Sequence, residues 1–250
     1  MGLRSRIVLS GLASMVVFPT FAGGKLVISQ IYASGGEMGA IYRKDFIEIR
    51  NIGDEEVDVS GWSVQYAPPA GTNWEVTPLG QCRISPGAAF LVQEAGGKGG
   101  VLELPRPDAK GQIQLNASSG KVILASTVQA QSGSKPAGFQ VVDFVGYGNA
   151  ADAFEGRGAA PTLGTCVAAL RKANGTQATG DNAADFIAAP PFGGAGDREM
   201  VAAVGSADDT KPDSVGKHLR PDECRERPKS RPSRSETDAQ RNSLDQKNEK

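Results

Sequence analysis

The chain has 250 residues, of which 32 are glycine and 15 are proline. Long helices are disfavoured, because glycine loses much freedom in a helix and proline breaks it. The numbers of basic and acidic side chains are nearly equal, which gives a net charge of −1. The sequence contains one histidine, His218. That histidine count argues against zinc hydrolases and Ser-His or Cys-His nucleophile systems, which use histidine as ligand or base.

Residues 1–22 have the features of a signal peptide. Two arginines and no acid precede a mostly apolar run at 7–18, and small residues follow up to Ala22. We expect cleavage after Ala22 or Gly24, and therefore an exported protein, extracellular or periplasmic. The alternative is a buried N-terminal strand or helix. No segment reaches the roughly eighteen apolar residues of a membrane helix, so an integral membrane protein is not expected.

Residues 25–193 are predicted to form one domain of many short strands. Runs of β-branched and aromatic residues alternate with glycine, asparagine and proline turns. Their spacing of about eight to twelve residues is typical of a β-sandwich, and no long segment has helical periodicity. In chain order the predicted strands are 25–32, 45–50, 57–59, 61–66, 73–76, 81–84, 88–93, 112–115, 121–125, 141–147 and 167–171.

Alternation along these strands predicts which side chains form the core. In the segment 45–50, Ile47 and Ile49 lie on one face, while Phe46 and Glu48 lie on the other. The same reasoning extends to the other apolar strands. The predicted core comprises Ile47, Ile49, Trp62, Phe90, Val92, Ile123 and Val145.

Several strand and turn segments of this chain match the motifs of one known family. They are Val-Ile-Ser-Gln-Ile-Tyr at 27–32, Asp-Phe-Ile-Glu-Ile-Arg-Asn at 45–51, Val-Asp-Val-Ser-Gly-Trp-Ser-Val-Gln-Tyr at 57–66, Ile-Ser-Pro-Gly at 84–87 with Phe-Leu-Val-Gln at 90–93, Val-Asp-Phe-Val-Gly-Tyr-Gly at 142–148, and the C-terminal segments 154–156, 159–161 and 182–186. Together these segments resemble the lamin tail domain in its bacterial exported form, over about residues 25–192. The resemblance implies an all-β, immunoglobulin-like β-sandwich. In bacteria such domains often precede extracellular nuclease or phosphoesterase domains, and they are thought to act as accessory or tethering modules.

The residues themselves favour a domain without catalytic activity. Histidine is absent between positions 25 and 200. The best local carboxylate pair, Asp45 and Glu48, is predicted to project from opposite strand faces, so both are interpreted as structural charges. The segments Gly35-Gly36 and Gly96-Gly97-Lys98-Gly99-Gly100 lack the helix and the Gly-Lys-Ser/Thr ending of a phosphate loop, and we interpret them as flexible hairpin loops.

Two hypotheses about function follow. The first is an exported, non-catalytic binding, scaffold or tethering module. The second is a truncated or accessory part of an extracellular nuclease or phosphoesterase whose catalytic domain is missing. The middle of the chain carries more acidic than basic residues, so specific nucleic-acid binding is not expected. The expected partner is an unknown protein or a cell-envelope polymer, and no cofactor is expected.

Two groups of side chains offer alternative binding sites. Asp181, Asn182 and Asp185 form an oxygen-rich cluster that could bind calcium, or could instead make Asx turns with the local backbone. Aromatic residues could form a binding face for sugar or peptide, or could instead lie in the core. The aromatic residues concerned are Trp62, Trp74, Tyr32, Tyr42, Tyr66 and Tyr147.

The three cysteines and the C-terminal segment allow predictions about disulfide pairing and about disorder. Cys82 and Cys166 lie in or beside predicted strands and could form one disulfide, which would leave Cys224 unpaired. Residues 201–250 contain no aromatic residue and are predicted to be a disordered, charged tail. Its basic run at 225–234 either is a solvated extension or binds an anionic envelope partner.

Overall fold

Twelve strands and two short helices form residues 25–192, the part of the chain that the computed structural model describes. The predicted signal peptide and the predicted tail lie outside these residues. The elements are β1 (Leu26–Tyr32), β2 (Lys44–Asn51), β3 (Val57–Asp58), β4 (Ser63–Ala67), β5 (Glu75–Pro78), β6 (Arg83–Ile84), β7 (Ala89–Gly96), β8 (Ala109–Lys110), β9 (Gly120–Ala125), β10 (Val141–Tyr147), β11 (Ala168–Arg171), α1 (Lys172–Gly175), α2 (Asn182–Asp185) and β12 (Phe186–Ala189).

The strands form two main sheets that pack against each other. The first has six strands in the order β12-β11-β1-β2-β7-β8, and the second has four in the order β10-β9-β4-β5. The neighbouring strands are antiparallel except β7 and β8, which are parallel. Strands β3 and β6 form a third, two-stranded sheet whose residues Ile84 and Val57 pack with the inter-sheet core. The all-β sandwich expected from the sequence is confirmed.

A hydrophobic core fills the space between the two sheets. Ile47 and Ile49 from β2, Phe90 and Val92 from β7, and Val145 from β10 are all buried there. Each sheet therefore contributes an apolar face, and removal of these faces from water is the main stabilising contribution to the fold.

Two of the predicted core residues have a different environment. Ile123 is buried, but it packs with Trp74 and Phe144 in a cluster separate from the inter-sheet core. Trp62 is only half-buried and packs against the edge of the core. The structure therefore places Trp62 at the edge of the predicted core, because this residue lies between the turn at Gly61 and the start of β4 at Ser63.

A second apolar cluster contains buried residues of β1, β2, β7 and β11. Tyr32, Tyr42 and Phe46 pack together, with ring centroids 5.6–6.1 Å apart and edge-on or tilted geometry. Leu91 and Leu170 are buried in the same cluster. Tyr32 and Phe46 lie next in the chain to core residues of the same strands, so this cluster covers the outer face of the six-stranded sheet. We call it the outer cluster.

The tyrosines and Trp74 proposed as an alternative binding face are packed inside the molecule. Tyr32, Tyr42, Tyr66, Trp74 and Tyr147 are all buried. Their rings contribute to packing, so these five residues do not form an exposed aromatic face.

The segment 112–115, predicted to be a strand, is irregular. Its backbone N–H groups bind side-chain carboxylates instead of a neighbouring strand: Ile113 donates to Glu94 and Leu115 donates to Asp45. Two short strands that the sequence pattern does not predict are β8 and β12. Both are edge strands of the six-stranded sheet.

The expected disulfide between Cys82 and Cys166 is not formed. Cys82 is a free thiol and packs against the inter-sheet core, whereas Cys166 packs against the outer cluster. The six-stranded sheet thus separates the two side chains. Cys166 is itself disulfide-bonded, and Cys224 lies outside the described residues.

Phe90 is buried in the core whereas Trp62 is only partly buried, and this difference predicts how much each side chain contributes to stability. Phe90→Ala should lower the free energy of unfolding by about 3–5 kcal/mol, as aromatic deletions in cores do. Trp62→Ala should cost only about 1–2 kcal/mol, because that side chain is only partly buried. Urea denaturation of both variants measures the difference. Equal losses would contradict the position of Trp62 at the edge of the core.

Candidate functional site

A buried arginine joins the two sheets at one side of the sandwich. The Arg171 guanidinium donates to the carbonyl of Ile28 at 2.7 Å and to Asp143 Oδ2 at 2.7 Å, and it binds Asp185 at 3.3 Å. The Cζ atom of Arg171 lies 4.5 Å from the centre of the Phe186 ring. Burial raises the pKa of Asp143, while the adjacent guanidinium opposes that rise. The charges are therefore compensated inside the fold.

The three residues considered as a calcium site have protein partners. Asp185 accepts hydrogen bonds from the backbone and hydroxyl of Thr179, in addition to its contact with Arg171. Asp181 pairs with Arg157 at 2.9 Å. Among residues 25–192, no group of three or more His, Cys, Asp or Glu side chains has a geometry suited to a metal ion.

Asn182, the third member of that trio, covers part of an edge strand. Its side-chain oxygen accepts from the N–H groups of Gly146 and Glu155, and its amide nitrogen donates to the carbonyl of Phe144, all at 3.0 Å. The side chain thus binds β10 as a neighbouring strand would, which protects an edge that could otherwise pair with another chain. Its role is structural.

A second polar cluster contains the buried Lys121, Ser134 and Asp152. Lys121 is fully buried, and its Nζ lies 3.3 Å from Ser134 Oγ. The same Nζ donates to Asp152 at 2.6 Å and to the Gly71 carbonyl at 2.8 Å. The Lys121 side chain is thus held by the salt bridge to Asp152 and by the bond to the Gly71 carbonyl. The cluster instead links three loops around Trp74.

Two buried carboxyl groups lie on adjacent strands near the irregular segment 111–116. Asp45 accepts from the N–H groups of Gly35 at 2.7 Å and Leu115 at 3.2 Å, and Glu94 accepts from Ile113 at 3.0 Å. Burial raises the pKa of Asp45 to about 7 and that of Glu94 to about 7, more than these hydrogen bonds lower them. Both groups anchor backbone segments of the fold.

The pair Asp45 and Glu48 does not form a joint site. Both side chains are buried, but Asp45 binds Gly35 and Leu115, whereas Glu48 accepts from Ser29 Oγ at 2.5 Å. Their partners differ, so the two carboxyl groups do not face a common cleft as the acid pair of a glycosidase does.

The two glycine-rich segments form one surface, which we call the loop platform (residues 34–43 and 96–104). They are not separate hairpin loops. A Cβ atom on Gly36 would lie 1.8 Å from the backbone nitrogen of Gly97, and the N–H of Gly99 donates to the Gly36 carbonyl at 2.8 Å. Glycine is required here because the two backbones touch.

Further backbone hydrogen bonds join the two halves of the platform. The N–H groups of Val101 and Leu102 both donate to the Ile41 carbonyl, at 3.1 and 2.8 Å, and Arg43 donates to the Leu102 carbonyl at 2.9 Å. Asp45, through its bond to Gly35, anchors the platform from below. The platform is therefore a bonded extension of the sheet.

Apolar side chains of the platform face the solvent. Met38 is 92% exposed, Val101 is 55% exposed and Leu102 is 39% exposed. An exposed salt bridge between Arg43 and Glu103 lies beside them, with a length of 2.9 Å. Apolar side chains on a fixed backbone with a charged rim are typical of protein-binding surfaces.

Fold and sequence comparison together define the class of this protein. Its two facing sheets, with a mostly antiparallel strand arrangement, form an immunoglobulin-like β-sandwich. Residues 19–180 match the lamin tail domain family, and the chain belongs to that family. The resemblance noted in the sequence is confirmed.

Three solved chains are similar to this chain. One of them is described as a DUF4876 family protein from Bacteroides thetaiotaomicron VPI-5482, is 14% identical, and has a TM-score of 0.46. The similarity covers 67% of this chain and 72% of that chain. No curated protein matches the chain. Within residues 25–192, no helix is long and apolar enough to cross a membrane.

The raised pKa values of the buried acids predict how stability depends on pH. Unfolded carboxyl groups titrate near 4, whereas Asp45 and Glu94 titrate near 7 in the folded protein. The folded chain therefore binds more protons between these values, and its free energy of unfolding falls as pH rises from about 4 through 7. The nearby carboxyl group of Glu37 further raises the pKa of Asp45, and that of Glu75 further raises the pKa of Glu94.

The variant Glu94→Gln tests this pH dependence of stability. Glutamine can still accept the hydrogen bond from the Ile113 N–H, but it does not titrate. We expect the fall in unfolding free energy between pH 4 and 7 to shrink by on the order of 3 kcal/mol. Glu75→Gln is the control and should keep most of the pH dependence. Denaturant midpoints across the pH range measure both. An unchanged slope in Glu94→Gln would contradict the raised pKa.

Proposed function

We propose that this chain is an exported, non-catalytic binding module that uses the loop platform to bind a protein partner of the cell envelope. The observation that carries the proposal is the exposure of Met38, Val101 and Leu102 on a backbone fixed by loop-to-loop hydrogen bonds. A preformed surface loses little conformational entropy on binding, so more of the contact energy appears as affinity.

The chemistry of the platform favours a protein over a sugar polymer. Methionine adapts to irregular apolar surfaces, and the Arg43–Glu103 pair at the side is suited to polar contacts at the rim of an interface. Sugar-binding faces use exposed aromatic rings, whereas the tyrosines of the described residues are buried.

The buried polar and charged side chains bind partners within the fold, and this supports a role without catalysis. Arg171, Asp143, Asp185, Lys121 and Asn182 each bind partners that hold the sandwich together. Catalytic groups need to reach a substrate in an accessible cleft. We therefore propose neither a catalytic residue nor a bound cofactor, calcium included.

Sedimentation with isolated envelopes of the natural host tests the binding role. The double variant Met38→Glu/Val101→Glu places charge on the apolar platform and should reduce the bound fraction at least about tenfold, a loss of about 1.4 kcal/mol. Phe139→Glu is the matched control, since Phe139 is 93% exposed but lies outside the platform.

Protease treatment of the envelopes should abolish binding if the partner is a protein. Equal sedimentation of the native chain and the double variant would contradict the platform as the binding surface. Binding that survives protease treatment would favour an envelope polymer instead.

The second candidate is an accessory part of an extracellular nuclease or phosphoesterase, favoured only by the resemblance to domains of that layout. Purified protein incubated with DNA, RNA or a chromogenic phosphodiester, in magnesium, calcium or manganese, should not differ from buffer. Turnover that co-purifies with the chain and is lost in Asp45→Asn or Glu48→Gln would contradict the non-catalytic proposal.

A further inference from the structure

One buried carboxyl group binds two separate backbone segments at the base of the loop platform. Asp45 lies in β2 and is only 1% exposed. Its Oδ1 accepts from the N–H of Gly35 at 2.7 Å, and its Oδ2 accepts from the N–H of Leu115 at 3.2 Å. Each oxygen of the carboxyl group therefore binds a different segment, and both partners are hydrogen-bond donors.

The bond to Gly35 lies next to the contact that joins the two halves of the platform. Gly36 follows directly in the chain. Its N–H donates to the Tyr42 carbonyl at 3.0 Å, and its carbonyl accepts from the N–H of Gly99 at 2.8 Å. A change in the hydrogen bonding of Asp45 therefore acts on the platform backbone directly, without an intermediate side chain.

The irregular segment 111–116 is also held at two further points. The N–H of Ile113 donates to Glu94 at 3.0 Å, and the N–H of Asn116 donates to the Tyr66 hydroxyl at 3.0 Å. Loss of one bond to this segment leaves it in place, so we expect the larger response to a change at the carboxyl group in the platform.

Protonation changes what the carboxyl group of Asp45 can accept. A carboxylate has two acceptor oxygens, whereas the protonated acid has one carbonyl oxygen and one hydroxyl that donates. Because both partners of Asp45 are N–H donors, an added proton faces one of them and leaves it without a good acceptor. The other bond becomes weaker, because its acceptor has lost its charge.

The ionisable groups around Asp45 bring this change close to neutral pH. Burial, together with the nearby carboxyl groups of Glu37 on the platform and Glu94 on β7, raises the pKa of Asp45 to about 7 against its two backbone hydrogen bonds. Three buried phenols also interact with Asp45, and burial raises the pKa of each, so they stay neutral at this pH. These phenols belong to Tyr32 in β1, Tyr66 in β4 and Tyr147 in β10.

We propose that Asp45 is a proton-operated clamp on the loop platform: the carboxylate holds Gly35 in place, and protonation loosens this anchor. A partner would then bind more tightly above neutral pH than below it. This effect on binding rests on the proposed function, whereas the clamp itself does not. Protonation also removes a buried charge, so the local anchor weakens although the domain as a whole becomes more stable.

The chemical shift of the Gly35 amide proton, followed by NMR against pH in the full chain, tests the clamp. We expect this shift to titrate with a midpoint near pH 7 and to move upfield as the pH falls, because the bond to Asp45 weakens. A constant shift, or a midpoint near the ordinary carboxyl value of about 4, overturns the proposal.

Three variants assign that titration to Asp45. Asp45→Asn should abolish it, because asparagine has one acceptor oxygen and one donor group, as the protonated acid has. Glu94→Gln is the matched control and should abolish the titration of the Ile113 amide but keep that of Gly35. Glu37→Gln should move the Gly35 midpoint to lower pH, since it removes a neighbouring negative charge. A Gly35 titration that persists in Asp45→Asn, or a midpoint that Glu37→Gln leaves unmoved, contradicts the clamp.

Envelope sedimentation at about pH 6 and about pH 8 tests the consequence for binding. We expect the native chain to bind about fivefold more tightly at the higher pH, the difference between a charged and a neutral hydrogen-bond acceptor. Asp45→Asn should bind with the weaker affinity at both. Equal binding of the native chain at both pH values overturns the regulation. Absence of binding at both, with the Gly35 titration present, contradicts the proposed function and leaves the clamp supported.

Discussion

The Arg171 guanidinium is the interaction on which the closure of the sandwich depends. It belongs to the six-stranded sheet, binds a backbone carbonyl of β1, and forms a salt bridge with Asp143 of the four-stranded sheet. Asp143 in turn accepts the N–H of Ile28 at 2.6 Å, so one carboxylate and one guanidinium complete the hydrogen bonding where the sheets meet. A buried pair of this kind is costly to break, because either partner alone would be an uncompensated charge.

The other buried polar side chains of the domain also satisfy hydrogen bonds that the backbone would otherwise leave unpaired. Asp45 and Glu94 bind backbone N–H groups of the irregular segment, Asn182 covers an edge strand, and Lys121 joins three loops. Each one replaces hydrogen bonds that regular strands would have made, which is required of buried backbone groups. The domain thus uses its ionisable side chains to hold loops onto a sandwich. The loop platform is a product of this arrangement, since Asp45 anchors it through Gly35.

The sequence predicted the strands better than it predicted what surrounds them. The alternation in 45–50 and the run 141–147 reflect local geometry, and local geometry is visible in a single sequence. The irregularity of 112–115 was missed because it depends on carboxylates from strands far away in the chain. Trp62 lies at the edge of the core, and the sequence pattern alone does not separate an edge position from a central one, because a residue just before a strand continues the pattern of that strand.

The candidate site was less predictable for a similar reason. The glycines at 35–36 and 96–100 signal loops, but only the fold brings Gly36 and Gly97 into contact. The exposure of Met38 also becomes visible only in the folded structure. Likewise the pairing of Cys82 with Cys166 was plausible in sequence, whereas the six-stranded sheet lies between the two sulfurs.

The central claim of this account is that the loop platform is a preformed surface rather than a pair of independent loops. Amide hydrogen exchange followed by NMR measures this directly at Gly99, Val101 and Leu102, whose N–H groups donate to the opposite half of the platform. We expect protection of these amides comparable to that of β2 and β7. Exchange at the rate of an unstructured chain, while the strands stay protected, would contradict the claim.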